Sequence, residues 1–189
     1  MPASLDPTLV HQIVNSFPAS GDWKQVCCAE LRVATVSNSD ARNWSPLTLA
    51  GSKGGVYAFL FPHKFFAVPR TIMLDGPGQR GIPFEFSALP NQLADNDGFV
   101  AYVGRAANLL QRFHWHFSLA ATNTGAQVQY GLVKCCACQN RKEAVSFMLD
   151  HARIAFHILH GDDHAANRDV IELSLCSRFM SPFNIKSER

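Results

Sequence analysis

Two runs constrain this chain more than anything else in it: "GGVYAFLF" at 54–61 and "GFVAYVG" at 98–104. Each is short, bounded by glycine, and almost wholly apolar, with β-branched and aromatic residues throughout. That is how a strand buried in a sheet reads. Between them lies a Pro- and Gly-rich stretch at about 62–97. A structureless connection of that length is unusual inside a compact domain. It is therefore read as an insertion between two core strands, with a strand of its own at "RTIMLDG".

The rest of the chain arranges itself around these strands. "NLLQRFHWHF", 108–117, reads as a helix, and "AQVQYGLVKCCA", 126–137, alternates in part and reads as a third strand. In "RKEAVSFMLDHARIAFHILH", 141–160, Val145, Met148, Ala152, Phe156 and Leu159 form one helical stripe. "RDVIELSLCSRFM" is the last helix, ended by "SPFN". Residues 1–50 read as an accessory segment. It holds a short helix capped by Asp6 with Pro7 in its first turn, then "GDWKQVCCAELRVATV" as a strand or another short helix. At 189 residues the chain is the size of one domain. The order strand, insertion, strand, helix, strand, helix, helix gives an α+β fold, a small sheet covered by helices over residues 51–189.

Charged residues make up 17% of the chain, below the usual ~25%, and fourteen Phe point to an aromatic-rich interior. The net charge of +2 is too small to mark a nucleic-acid binder by itself, although a local patch is enough. The N-terminus lacks a basic leader with a long apolar core, and no apolar run is long enough to span a membrane. The expectation is a cytoplasmic protein with no membrane partner. Six cysteines include two adjacent pairs, which suit reduced core thiols. A zinc site on Cys135 or Cys136 with Cys138 lacks a second ligand pair at good spacing.

Some charged residues stand where a simple fold would not put them. Glu172, Leu175, Cys176 and Phe179 share one helical face, so a carboxylate sits on an apolar stripe. Such a group needs a cation, a metal or an altered protonation state. Arg168, one turn earlier, is the structural alternative. Leu109, Arg112, Phe113 and His116 share a face in the same way, and a guanidinium there suits a phosphate. A snorkelling Arg112 over the core is the plainer reading. Tyr57 and Tyr102 stand on the two core strands. Together these residues form a polar cluster in an apolar shell, suited to phosphate or metal.

"GGVYAF", "AYVGRAANLLQRFHWHF" and "IELSLCSRFMSPFN" together resemble the GIY-YIG nuclease family. The matching positions are Gly55-Val56-Tyr57, Tyr102-Val103-Gly104, Arg112 ten residues after Tyr102, Glu172 and the terminal Asn184. His116 falls where some members, notably homing endonucleases, place a histidine. The likeness covers roughly residues 54–61 and 98–185. Tyr57 and Tyr102 are 45 residues apart, much further than is usual in the family.

The resemblance implies a three-stranded antiparallel sheet flanked by helices, and a metal-dependent endonuclease that hydrolyses phosphodiester bonds in DNA. It implies Mg²⁺ or Mn²⁺ on Glu172, phosphate clamped by Arg112, and Tyr57 as general base with His116 assisting or sharing that role. Tyr102 orients water or phosphate, and Gly104 and Asn184 set the site's geometry. A lone carboxylate is enough for Mg²⁺, which keeps waters and takes phosphate oxygens. Arg70, Arg80, Arg105, Arg141 and Lys142 are candidates for backbone contacts or plain surface charges. The competing class is a non-catalytic nucleic-acid-binding protein on a nuclease fold.

Overall fold

The computed structural model describes residues 5–19, 21–32, 42–62, 71–76, 79–85, 98–121, 123–135, 138–179, 181 and 183–184. The helices are α1 (Pro7–Ser16), α2 (Leu109–Phe117), α3 (Gln127–Cys135), α4 (Arg141–His151) and α5 (Ala165–Phe179). The strands are β1 (Lys24–Cys27), β2 (Gly55–Pro62), β3 (Thr71–Gly76), β4 (Gln79–Glu85), β5 (Gly98–Ala106) and β6 (Arg153–Ile158). Four of them form an antiparallel sheet in the order β1-β6-β2-β5. β3 and β4 pair as a hairpin inside the insertion, where "RTIMLDG" predicts a strand.

β2 is central and covered on both faces, which is why its sequence runs apolar without alternation. Tyr57, Phe59 and Phe61 point to one layer, where they meet Leu109, Phe113 and Phe117 of α2, with Leu132 and Met148 from α3 and α4 in the same core. Val56, Ala58 and Leu60 point to the other, against Val10 and Ile13 of α1 and Ile171, Leu175 and Phe179 of α5. The described residues among the first fifty are woven into these layers. β1 pairs with β6, Leu31 and Leu47 are fully buried, and α1 packs on α5. The Asp6 carboxylate accepts the Thr8 and Leu9 amides and caps α1, with Pro7 at its first position.

The sheet has four strands among the described residues, against three expected, and the third core strand is not where the alternation put it. Residues 127–135 are helical. Val128 and Leu132 are four apart, a spacing that satisfies a strand period and a helical face equally. Gly131 settles the packing, because a Cβ there would lie 2.4 Å from the Phe183 ring. The strand is instead β6, in a segment read as continuous helix. α4 stops at His151, and Ile154 and Phe156 then alternate into the core. The 3.6-residue stripe through Ala152, Phe156 and Leu159 is a coincidence of two buried elements meeting end to end.

A β-bulge on β5 aims one site residue. Phe59 pairs with Tyr102, but Leu60 pairs with Val100, so β5 carries an extra residue. Side chains alternate faces along a strand, and one inserted residue shifts that parity. Phe99 and Tyr102, an odd number apart, therefore both join the α2 layer.

Among the described residues no helix is long and apolar enough to cross a membrane. Cys27, Cys28, Cys138 and Cys176 are free thiols. The side chain of Cys135 and the whole of Cys136 lie outside the described residues.

Candidate functional site

The site is built where α2 crosses the β2–β5 pair. Asn108 starts the helix, its side chain accepting the Gln111 amide at 2.9 Å. The helix buries Leu109, Phe113 and His116 on one face, with Arg112 half-buried between them. His116 is thereby driven against β2, and its Nε2 lies 2.7 Å from the Tyr57 hydroxyl. The Tyr102 ring packs 5.2 Å from the His116 ring and 6.0 Å from that of Tyr57.

Gly104 is the floor of this arrangement. It pairs with Tyr57 across β2–β5, and a Cβ there would stand 2.5 Å from the Tyr57 ring and 2.8 Å from that of Tyr102. The glycine of "YVG" is thus required by close approach rather than by an unusual backbone angle. Gly104→Ala is expected to push Tyr57 off His116 and to cost about 1–3 kcal/mol, as overpacking does. A thermal melt checks this, and an unchanged melting temperature would show that the rings have room to move.

Asn184 closes the open edge of β5. Its side chain accepts the Val103 amide at 2.7 Å and donates to the Val103 carbonyl, as a neighbouring strand would. The Phe183 amide donates to the Ala101 carbonyl beside it. The C-terminal Asn thus holds the strand that carries Tyr102 and Gly104.

Burial dominates the electrostatics. His116 is fully buried, and desolvation, with the Arg112 charge acting the same way, lowers its pKa to about 3; the Gly125 backbone opposes this weakly. The ring is therefore neutral at neutral pH, and in the tautomer protonated on Nδ1 its Nε2 accepts the Tyr57 hydroxyl hydrogen. Nδ1 itself makes no hydrogen bond of good geometry. Burial pushes the Tyr57 phenol well above its ordinary range; Tyr102 and Glu172 act in the same direction, while the Arg112 charge pulls it down. Tyr57 is thus within electrostatic reach of all four other candidate residues.

The depressed His116 pKa has a consequence for stability. Between about pH 6.5 and about 3 the unfolded chain binds a proton on this ring that the folded chain refuses. Stability from this group is present above pH 6.5 and falls as the pH drops, by up to about 1.4 kcal/mol per pH unit. His116→Gln keeps an acceptor for Tyr57 but does not titrate, so urea unfolding of that variant should lose this part of the acid slope. An identical slope in both proteins would remove His116 as its source.

Glu172 comes from the opposite layer, on α5, with its side chain 16% exposed. Arg105, the residue after "YVG", holds it: Nε lies 2.8 Å from Glu172 Oε2 and Nη1 2.9 Å from Asp169 Oδ1. Arg168, the structural partner considered from sequence, instead donates to the Leu159 and Gly161 carbonyls. Arg105 is thus a site residue that sequence reasoning placed only among general DNA contacts. Its signal was Asp169 and Glu172 three apart on one helix face, a ready pair for one guanidinium.

The other basic candidates separate. Arg141 is committed to Gln129 Oε1 at 2.7 Å and the Ala121 carbonyl at 2.8 Å, and lies over the Tyr130 ring. Gln129, fully buried, donates in turn to the His116 carbonyl, so this pair braces the end of α2. Lys142 is exposed. Arg70 and the side chain of Arg80 lie outside the described residues.

Glu172 offers one hard oxygen donor at the solvent edge, with Asp169 a turn away. A Mg²⁺ or Mn²⁺ that keeps most of its ligands as water and phosphate oxygen needs no more than this, but would share these carboxylates with the Arg105 guanidinium. Among the described residues no group of three or more His, Cys, Asp or Glu side chains is placed to form a protein-only cage. Comparison with protein-family models, with curated proteins and with solved structures returns no match.

Proposed function

We propose that this protein is a metal-dependent phosphodiester hydrolase, a DNA endonuclease of GIY-YIG type. The observation that carries the reading is the 2.7 Å contact between Tyr57 and His116, set within electrostatic reach of Arg112 and Glu172. Three separate segments, two strands with their following helix and the C-terminal helix, supply one set of residues suited to phosphate chemistry.

Arg112 binds the non-bridging phosphate oxygens with its planar fork of donors. Tyr57 receives a proton from the attacking water as its own proton passes to His116 Nε2. The relay transfers the charge to the buried His116 ring, which holds a proton poorly, so the negative charge of the incoming phosphate and of Glu172 must be what stabilises it. Tyr102 lines the same pocket of rings and orients water or phosphate. Asn184 and Gly104 hold β5 and the two tyrosines in register. A divalent metal on Glu172 supplies charge stabilisation to the phosphate and the leaving oxygen when bound.

A second reading has its own observation. Tyr57 and His116 are fully buried and Arg105 is paired with Glu172, which suits a nucleic-acid-binding protein that does not cut. Incubation with plasmid, branched and single-stranded DNA in Mg²⁺, Mn²⁺ or EDTA separates the two. Metal-dependent cleavage supports the hydrolase, binding without cleavage supports the second reading, and neither binding nor cleavage overturns both.

A further inference from the structure

A cavity of about 530 Å³ opens on the flank of α2 away from Tyr57, and none of the five proposed catalytic residues lines it. Its volume lies within the range of small-molecule sites. Among the described residues lining it are three cations, Arg32, Arg42 and Lys142, and no carboxylate. Arg32 and Arg42 face each other across an isolated antiparallel bridge. Asp150 meets Arg32 from outside the lining at 2.6 Å, and Arg32 also donates to the Ser146 hydroxyl at 3.0 Å, which orients the guanidinium.

The other wall is aromatic. The Trp44 and His114 rings stack at 3.8 Å and 16°, and Phe117 backs Trp44 edge-on at 5.9 Å. His114 lies two residues from both Arg112 and His116, which puts it about 200° round the helix from each. One short helix therefore presents Arg112 and His116 to the tyrosines and His114 to the cavity.

Cations on one wall and stacked rings on the other suit a ligand that is anionic at one end and planar at the other. A bare phosphate leaves the aromatic wall unused, and an uncharged ring leaves the cations unused. We propose that this cavity is a nucleotide-binding subsite, with phosphate held by Arg32, Arg42 and Lys142 and the base lying against the Trp44–His114 pair. The ligand is a free nucleotide or one unit of a single strand; the recognised chemistry is the same. The subsite goes beyond the hydrolase reading and stands whether or not the other flank of α2 cuts.

The test is equilibrium binding to the intact protein in EDTA, where metal-dependent cutting does not intervene, followed by calorimetry and tryptophan fluorescence. The probes are deoxyadenosine, inorganic phosphate, deoxyadenosine monophosphate and a short oligo(dA). The monophosphate is expected to bind at least about tenfold more tightly than either fragment, since both walls act together. Lys142→Glu and His114→Ala change exposed side chains and leave the core intact, and each is expected to weaken the monophosphate by about tenfold. An oligonucleotide that binds more tightly and displaces the monophosphate assigns the subsite to a strand; one that fails to displace it assigns the subsite to free nucleotide. Phosphate binding as well as the monophosphate, no saturable binding of any probe, or variants that bind like the parent would each overturn the proposal.

Discussion

Glu172→Gln is expected to abolish metal-dependent DNA cleavage while DNA binding holds or tightens. The substitution keeps the side chain's shape and removes its charge, leaving only a neutral amide oxygen where the metal would be held by an anionic one. Affinity rises or holds because one negative charge near the phosphates is gone. The structure sharpens this experiment. The carboxylate pairs with Arg105, whose side chain is 47% exposed and which also reaches Asp169 at 2.9 Å. The pair is half-exposed on the arginine side and Asp169 remains a partner for Arg105, so the loss should stay near that of surface pairs, about 1 kcal/mol, and the melting temperature should move little. Had Arg168 been the partner, a buried pair would have been broken, at about 3–5 kcal/mol. Cleavage, DNA affinity and thermal unfolding measured on the one variant are therefore read separately. A lowered melting temperature with normal activity per folded molecule would end the metal-site reading.

Arg112→Ala should lower cleavage by about 10²–10³, the loss associated with one oxyanion donor. Arg112 is half-buried, with its guanidinium 5.0 Å from the Trp115 ring centroid. The fold should survive, because the face's fully buried anchors are Leu109, Phe113 and His116. A second readout belongs to the same variant. The Arg112 charge helps to hold the His116 pKa down, so its removal should raise that pKa in an NMR titration while burial still keeps it below the ordinary histidine range. Arg112→Lys restores charge but not the planar fork, and should recover the titration more fully than the cleavage. An Arg112→Ala protein that cuts at the parent rate would take this residue out of the mechanism.

The binding and catalytic readings meet on α2, and the two surfaces fail independently. Loss of cleavage in Arg112→Ala says nothing about the cavity lined by His114, and loss of nucleotide in Lys142→Glu says nothing about Tyr57. Gln129 and Arg141 brace the helix end from outside either surface.

What the sequence determined by itself was local. Gly55-Val56-Tyr57 and Tyr102-Val103-Gly104 were legible as strand residues because continuous apolar, β-branched runs bury both faces. The α1 start was legible because Asp6 is a capping side chain with Pro7 behind it, and α2 was legible as a helical run, with its Asn108 cap shown only by the structure. Glu172 and Arg112 stood out because a charge on an apolar stripe must be answered by something. What answered them was decided only in three dimensions. Arg105 reaches Glu172 because β5 and α5 pack together, a contact between positions far apart in the chain. The third strand could not be located by periodicity, since Val128 with Leu132 and Ala152 with Phe156 each fit two periods, and the choice fell to which segment could pair with both β1 and β2. Tyr102 joins Tyr57 and His116 only because a bulge shifts its parity. Alternation along a strand is a local rule, and the extra residue that breaks it is placed by register with the neighbouring strand.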